Sequence, residues 1–370
     1  MKNPVALLAA AAVVAGGVAA VVTPSATAAA AAARVNPLRV SMVATAGTSG
    51  FLGAVEVRVT NTSDRIVRMP AWQLPGSFLQ AKLFEVTRDG QPVAYEGPMI
   101  KRGLPGAREF AILQPGQTVR ATVDLSAFYD MSRSGEYTVA YSAPLQHASL
   151  STGEMLKTAS GLPMRAQSAP LKLWVDGTDQ LGAQKLQTQR KPSTGATVVN
   201  GISYKGCSTT QINTLGSAVS AARNYSENSK GYLAAGTVGA RYTTWFGAYT
   251  STRYATARQH FVDIDAALDQ SGAQVTINCG CNQSYYAYVY PTRPYEIFVC
   301  RAFWNAPLTG TDSKAGTLVH EMSHFNVVAG TDDHAYGQSA AKSLAAGDPT
   351  RALDNADNHE YFAENTPAQN

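Results

Sequence analysis

Apolar and polar residues alternate in several short segments between residue 36 and about residue 180. Such segments lie at residues 38–43, 54–59, 118–123 and 137–141. Turn signals such as Asn61-Thr62-Ser63-Asp64 and Asp89-Gly90 separate them. Alternation with a period of two is typical of strands that bury one face. Strands at this spacing predict a small antiparallel sandwich of immunoglobulin-like type, so we expect the first half of the chain to be all-β.

The pattern changes after residue 203. Ser208 and Thr209 are residue types that cap helices, and they precede an Ala-rich helix predicted to run to about Leu233. Further helices are predicted at residues 256–268, 316–327, 338–346 and 349–355, and short strands near residues 275–277, 285–290 and 297–300. The second half is therefore predicted to be an α+β domain that is mainly helical.

The first residues have the layout of a secretory signal peptide. Lys2 precedes an apolar run over residues 5–22, and the segment up to Ala28 supplies an Ala-x-Ala cleavage site. A single membrane anchor is the alternative, because the run is long for a signal peptide. Its Ala, Gly and Val content favours export. We predict a signal peptide over residues 1–28, a secreted, extracellular protein and no membrane association after cleavage.

Length and composition suggest how the rest of the chain is divided. A chain of 370 residues with 45% hydrophobic and 15% charged residues can form two domains. Residues 182 to about 200 are rich in Pro, Gly, Ser, Thr and Gln. This composition predicts a linker with a processing site over residues 182–202, between domains at 29–181 and 203–370.

Charge differs between the two parts. From Ser203 onward the chain carries 11 Lys and Arg against 14 Asp and Glu, a net charge of −3, whereas the remainder carries +7. Opposite charges suit a propeptide that lies on its own enzyme, and they suit a permanent accessory domain equally well. Because the whole chain carries only +4 and its basic residues do not cluster, we predict no nucleic-acid partner.

All four cysteines lie in the second half of the chain: Cys207, Cys279, Cys281 and Cys300. In an exported protein they predict two disulfides. A bond between Cys279 and Cys281 would close a very tight ring, which leaves two of the three possible connectivities open. A zinc site made of four thiolates fits poorly, because a lone C-x-C has only distant partners.

The most specific chemical signal is the segment His320-Glu321-Met322-Ser323-His324. Two histidines four residues apart on a helix lie about 40° apart around its axis and about 6 Å along it, so both can bind one metal ion. Asp333 follows nine residues later and is the leading candidate for a third ligand. Two histidines and a carboxylate leave a fourth zinc position open to water, which is typical of a catalytic site.

These residues predict a zinc-dependent hydrolase. Glu321 could take a proton from a zinc-bound water and pass it to the leaving amine. Tyr336, three residues after Asp333, could donate its phenol to the oxyanion. Two surface histidines on an amphipathic helix would give the same motif, but the apolar segment Thr317-Leu318-Val319 favours a buried helix.

H-E-x-x-H followed by G-T-x-D-x-x-Y-G resembles the aspzincin metallopeptidases, which comprise deuterolysins and peptidyl-Lys metalloendopeptidases. The resemblance extends from about residue 203 to residue 370. It implies that Asp333 is the third zinc ligand and that Tyr336 matches the tyrosine of the family pattern. The family is made as prepro-enzymes, so the resemblance also implies that residues from about 29 to near 200 are a propeptide.

The cysteines match the family as well. The resemblance implies the disulfides Cys207–Cys279 and Cys281–Cys300.

Substrate preference is predicted by two acids near the end of the chain. Asp357 and Glu360 are three residues apart and share one face of a predicted helix. A pair of acids at this spacing, taken alone, is typical of a solvated helix face. The segment at 355–362 is, however, similar to the lysine-specific branch of the family, in which these acids bind the lysine at P1′. The resemblance implies cleavage on the amino side of lysine. His334 and His359 have no ligand role in this pattern, and we expect them around the ligands or at the surface.

We therefore predict a secreted, monomeric zinc metalloendopeptidase, made as a zymogen, that binds one zinc ion and cleaves lysine-containing proteins. Its propeptide would be an intramolecular partner, and autolysis before Lys191 would suit the predicted specificity, although Pro192 hinders it. A deuterolysin-like enzyme of broad preference is one alternative. A secreted binding module with a degenerate peptidase domain is another, and the intact Glu321 counts against it.

Overall fold

A computed structural model of the chain describes residues 35–45, 53–177 and 195–370. The predicted signal peptide and the predicted linker up to residue 194 lie outside these residues. No helix in the described part of the chain is long and apolar enough to cross a bilayer.

The N-terminal part consists mainly of strands, as the alternating pattern predicts. In the longest described strand, β9 (Gly135–Pro144), one face of the alternation forms a core, with Tyr137, Val139, Tyr141 and Ala143 fully buried. The immunoglobulin-like arrangement stays a prediction. The strands are β1 Leu38–Ala44, β2 Ala54–Asn61, β3 Val67–Pro70, β4 Phe84–Arg88, β5 Gln91–Pro92, β6 Met99–Lys101, β7 Phe110–Leu113, β8 Thr118–Asp124, β9 Gly135–Pro144, β10 Ser149–Leu150, β11 Arg165–Gln167 and β12 Leu171–Val175.

Eleven of these twelve strands form three small sheets. Strand β2 lies between β1 and β8, and β3 lies between β7 and β10. Strand β9 pairs with β4, β11 and β12, and β4 also pairs with β5. The remaining strand, β6, leaves this part of the molecule and joins the sheet of the C-terminal part.

The C-terminal sheet contains β6 and five strands of the C-terminal part: β13 Ala196–Val199, β14 Ile202–Lys205, β15 Thr276–Asn278, β16 Ala287–Val289 and β17 Glu296–Val299. The strand order is β13-β14-β15-β17-β16-β6. Strand β6 runs antiparallel to β16, with Met99 opposite Val289 and Lys101 opposite Ala287. The two parts of the chain therefore share one sheet.

Helices account for most of the C-terminal part. Within the described residues they are α1 Thr209–Ala234, α2 Ala240–Phe246, α3 Ser251–Leu268, α4 Arg301–Asn305, α5 Lys314–Ser323, α6 Gln338–Gly347, α7 Pro349–Leu353 and α8 Ala356–Glu364. Helix α5 packs against α1 and α8. A side chain at Gly316 would place its Cβ 2.1 Å from the Glu364 carboxylate, so glycine is needed where α5 meets α8. This contact brings the histidine motif beside the two acids of α8.

The start of helix α1 confirms the predicted cap. The Ser208 hydroxyl accepts a hydrogen bond from the Gln211 amide, and the Gln211 side chain accepts one from the Ser208 amide. Both disulfides implied by the family resemblance are present, Cys207–Cys279 and Cys281–Cys300.

The motif helix is shorter than predicted. It was expected to reach about residue 327, but α5 ends at Ser323 and His324 is its C-cap. The loop that follows folds back on this end, where the Thr331 amide donates to the Ser323 carbonyl at 3.1 Å.

Helices α2 and α4 were not predicted, because five to seven residues are too few to show a helical period. Residues 196–199, at the end of the predicted linker, form β13.

Candidate metal centre and active site

Three side chains bring one possible ligand atom each to a common point. Nε2 of His320 lies 3.2 Å from Nε2 of His324. Oδ1 of Asp333 lies 3.4 Å from the first nitrogen and 3.5 Å from the second. Ligands about 2.0–2.2 Å from a tetrahedral zinc ion are about 3.3–3.5 Å apart, so this triangle has the size that zinc requires. The chain thus provides three of the four ligand positions of a tetrahedral site.

The surroundings of both rings leave these nitrogens free for a metal. Nδ1 of His324 lies 2.7 Å from the Thr331 carbonyl oxygen, which only accepts, so Nδ1 carries the proton and Nε2 has the lone pair. Nδ1 of His320 lies between two carboxylates, 2.9 Å from Asp357 Oδ1 and 3.2 Å from Glu360 Oε2. Neither contact is a well-directed hydrogen bond, but two acids facing Nδ1 hold the proton there.

Glu321 is buried beside this triangle, and neither of its carboxylate oxygens has a hydrogen-bond partner among the residues that the structure describes. Burial raises the pKa of Glu321 to about 7, against the attraction of His320 and His324. A buried carboxylate without partners is costly in a purely structural role. A carboxyl with this pKa can accept and return a proton near neutral pH.

The loop that carries Asp333 is fixed by the residues just before α8. Oδ1 of Asn355 accepts from the His334 and Ala335 amides at 2.7 and 3.0 Å, and its amide nitrogen donates to the Ala335 carbonyl. The Asp332 amide also donates to the Asp354 carbonyl at 2.8 Å. These bonds position Asp333 relative to the motif helix. Sequence reasoning missed Asn355. The available signal was that asparagine is a residue type favoured at helix N-caps, and Asn355 is the N-cap of α8.

The loop ends at Tyr336 and Gly337. Burial and the neighbouring Asp333 carboxylate raise the pKa of the Tyr336 phenol well above its ordinary value, so the phenol keeps its proton beside the ligand triangle. Gly337 has a φ of 85°, which favours glycine, and its amide donates to Asp357 Oδ2 at 2.6 Å. Asp357 therefore contacts both the His320 ring and the end of the Asp333 loop.

Asp357 and Glu360 lie on one face of α8, as the spacing predicts, and both are buried. The space between them holds the ammonium of Lys101, which comes from β6. Its Nζ lies 2.5 Å from Glu360 Oε2 and 3.6 Å from Asp357 Oδ1. A third acid, Asp312, has Oδ1 3.6 Å from the same nitrogen and accepts a hydrogen bond from the Tyr361 hydroxyl. Sequence reasoning missed both Lys101 and Asp312.

The other two histidines near the motif have separate partners. His334 Nε2 lies 2.8 Å from Asp354 Oδ2, beside the Asp333 loop. His359 is fully buried, with Nδ1 3.0 Å from the Asn355 carbonyl oxygen and Nε2 2.9 Å from His260 Nδ1. Neither ring belongs to the triangle of ligand atoms.

Comparison with known proteins identifies the family. A family model described as lysine-specific metallo-endopeptidase, of the aspzincins, matches residues 232–364. The chain is 46% identical over 320 residues to an extracellular protease of Aeromonas hydrophila, covering 85% of this chain and 89% of that protein. The chain belongs to the aspzincin family. The resemblance seen in the sequence is thereby confirmed.

Two other relatives of this aspzincin are named peptidyl-Lys metalloendopeptidases. The one from Grifola frondosa is 38% identical over 329 residues, which cover 85% of this chain and 88% of the relative. The one from Pleurotus ostreatus is 48% identical over 167 residues, which cover 45% of this chain and 98% of the relative. The chain is thus a zinc metalloendopeptidase of the aspzincin family.

Proposed function

We propose that this aspzincin is a secreted endopeptidase that cleaves peptide bonds on the amino side of lysine. The observation that carries the proposal is the position of the Lys101 ammonium between Asp357 and Glu360, next to His320. A pocket that holds a lysine of its own chain has the depth and charge for a substrate lysine. The names of the Grifola and Pleurotus relatives support the same preference.

The pocket favours lysine over other side chains for electrostatic reasons. It is closed to solvent around Lys101, whose exposed fraction is 1%, so an uncharged side chain would leave buried carboxylates unpaired. Lysine is a compact cation on a flexible apolar stem, whereas arginine carries a planar fork that needs more room. The Tyr286 ring, whose centroid lies 5.2 Å from Nζ, adds a cation–π contact.

The roles of the catalytic residues follow from the geometry of the site. His320, His324 and Asp333 would hold zinc, which when bound polarises the scissile carbonyl and lowers the pKa of the attacking water. Glu321 would take the proton from that water and transfer it to the leaving amine. Tyr336 would donate its phenol hydrogen to the oxygen that gains negative charge.

We also propose that the N-terminal domain, residues 29–181, is a propeptide. Its side chains contact the loop that carries Asp333. Lys82 pairs with Asp332 at 2.6 Å. Gln146 accepts a hydrogen bond from the Tyr336 amide through Oε1 and donates one to the Tyr336 carbonyl through Nε2. The Pleurotus relative supports an enzyme that works without this domain, because the 167 aligned residues already cover 98% of that relative. The predicted signal peptide supports secretion, as does the name of the Aeromonas relative.

Digestion of an unfolded protein that contains several lysines and arginines tests the lysine preference. We expect the new N-termini produced by the secreted enzyme to begin with lysine, and a parallel sample with a zinc chelator to remain uncut. New N-termini spread over many residue types would instead identify the broad-specificity alternative.

Sequencing the N-terminus of the secreted enzyme tests processing within residues 182–202, for example before Lys191.

A further inference from the structure

We propose that Tyr288 of β16, with Phe298 and Tyr290 packed against it, forms an aromatic subsite that favours peptides with an apolar side chain immediately before the lysine. This residue is P1 of the substrate, and the lysine is P1′. The inference rests on the proposed cleavage before lysine. It adds to that preference the residue on the other side of the scissile bond.

Strand β16 divides its side chains between the two faces of the C-terminal sheet. Ala287 and Val289 are fully buried on the face that packs against helix α5. Tyr288 lies between them and points to the opposite face, because successive side chains of a strand alternate. Its side chain is only partly buried there. The metal site and the lysine pocket thus lie on one face of the strand, and Tyr288 lies on the other.

Strand β6 shows how an extended peptide lies along β16. The two strands run antiparallel, with Lys101 opposite Ala287 and Ile100 opposite Tyr288. The Lys101 side chain enters the pocket of acids on the α5 face, so the side chain of Ile100, one residue earlier, lies on the face of Tyr288. A substrate whose lysine takes the same pocket in the same register places its P1 side chain where Ile100 lies.

This position already holds an apolar side chain. Residues directly opposite each other in antiparallel strands have Cβ atoms about 4.5–5.5 Å apart, so the P1 side chain reaches the Tyr288 ring. Ile100 is only 4% exposed, and it lines a cavity together with Tyr285, Tyr288 and Tyr290. The three tyrosines belong to the peptidase domain, so this wall stays with the enzyme when the N-terminal domain is removed.

The Tyr288 ring is held in a fixed orientation. It stacks on Phe298 of β17 with a centroid distance of 4.6 Å and an angle of 4° between the rings. Tyr290 packs edge-on against both rings, at 5.8 and 6.1 Å. A preformed surface binds a side chain without the entropic cost of ordering it. An aliphatic or aromatic P1 side chain therefore gains apolar burial on this surface, whereas a serine leaves the ring in water.

Cleavage of matched peptides by the secreted enzyme tests the inference. Two peptides differ only in the residue before their single lysine, which is isoleucine in one and serine in the other. We expect kcat/KM to be about fivefold to tenfold higher for the isoleucine peptide, as for burial of one aliphatic side chain in an enzyme subsite. Equal values for the two peptides would overturn the inference, and this comparison does not depend on the folding of any variant.

Variants then assign the preference to the ring. Tyr288→Thr removes the ring but keeps a residue type that suits a strand, and we expect the isoleucine-to-serine ratio to fall to about twofold or less. Tyr288→Phe keeps the ring and should keep the ratio. Tyr249→Thr removes a tyrosine that is 51% exposed outside the subsite, and as the matched control it should also keep the ratio. A full ratio in Tyr288→Thr, or an equal loss in the control, would refute the aromatic subsite.

A third peptide separates this inference from the proposed lysine preference. It carries isoleucine followed by norleucine, which lacks the ammonium of lysine. If it is cleaved as fast as the isoleucine–lysine peptide, the lysine preference is wrong, while the isoleucine-to-serine ratio still decides the aromatic subsite. If protein digestion gives lysine N-termini but the ratio is one, the lysine preference holds and the aromatic subsite is refuted.

Discussion

Asp357 Oδ1 lies 2.9 Å from Nδ1 of His320, while the other oxygen of the same carboxylate accepts the Gly337 amide at 2.6 Å. Asp357 therefore joins the motif helix to the loop that carries Asp333. Within the described part of the chain, Glu360 has no backbone bond of this kind, and its carboxylate contacts the pocket lysine. The two acids that the sequence pairs by spacing have different structural surroundings.

This difference predicts different kinetic effects for two substitutions that each remove one charge. Asp357→Asn should weaken zinc binding by about 10–100-fold, as loss of a carboxylate behind a metal-bound histidine does, and should lower kcat. Glu360→Gln should weaken zinc binding less than Asp357→Asn does, because its oxygen lies farther from Nδ1 of His320, at 3.2 Å against 2.9 Å. It should lower kcat/KM for lysine substrates by about 10–100-fold, mainly through KM. Zinc titration and steady-state kinetics of the secreted enzyme measure both. Identical effects of the two variants would contradict separate roles.

Glu321→Gln should abolish hydrolysis and self-processing while leaving zinc bound. The substitution keeps the shape of the side chain but removes the group that accepts a proton, so we expect a loss of at least about 100-fold in kcat. Metal analysis of the purified variant gives the zinc content, and the chain length shows whether processing has occurred. Retained activity with normal zinc content would rule out Glu321 as the base.

Asp312 should contribute to lysine recognition less than Glu360 does. Its side chain is 41% exposed and its oxygen lies 3.6 Å from the lysine nitrogen, so solvent screens the pair. Asp312→Asn should lower kcat/KM for lysine peptides by about twofold to fivefold and leave norleucine peptides unaffected. Asp263→Asn, which removes an exposed acid on α3, is the matched control and should change neither rate. A larger loss on norleucine peptides would indicate a structural role instead.

Local spacing was enough to predict which side chains meet at the candidate metal centre. His320 and His324 bring their Nε2 atoms to within 3.2 Å because they are four residues apart, and Asp333 follows them in a short loop. Lys101 could not be found in this way, because it is 259 residues away from Glu360 and lies in a three-residue strand without a period of its own. Asp312 was missed because it lies in a loop with a φ of 52°, outside any regular element. Long-range pairing and irregular backbone leave no periodic signal in the sequence.

Acid should destabilise the fold through His359. Its Nδ1–H donates to the Asn355 carbonyl, and its Nε2 accepts from His260, so the ring is held neutral. Burial and the nearby His260 lower the pKa of His359 to about 3, whereas an unfolded histidine titrates near about 6.5. Stability from the neutral ring is complete above about pH 6.5 and is lost as the pH falls from there towards about 3, because only the unfolded chain binds the proton.

Urea unfolding of the metal-free protein at pH 7.5 and pH 4.5 measures this loss. The wild type should lose about 3 kcal/mol more of its free energy of unfolding between the two pH values than His359→Phe does. Phenylalanine can occupy the site because the ring already stacks on Phe261 at a centroid distance of 5.6 Å. If His359→Phe loses as much stability as the wild type, His359 is not the buried neutral group that makes the fold acid-sensitive.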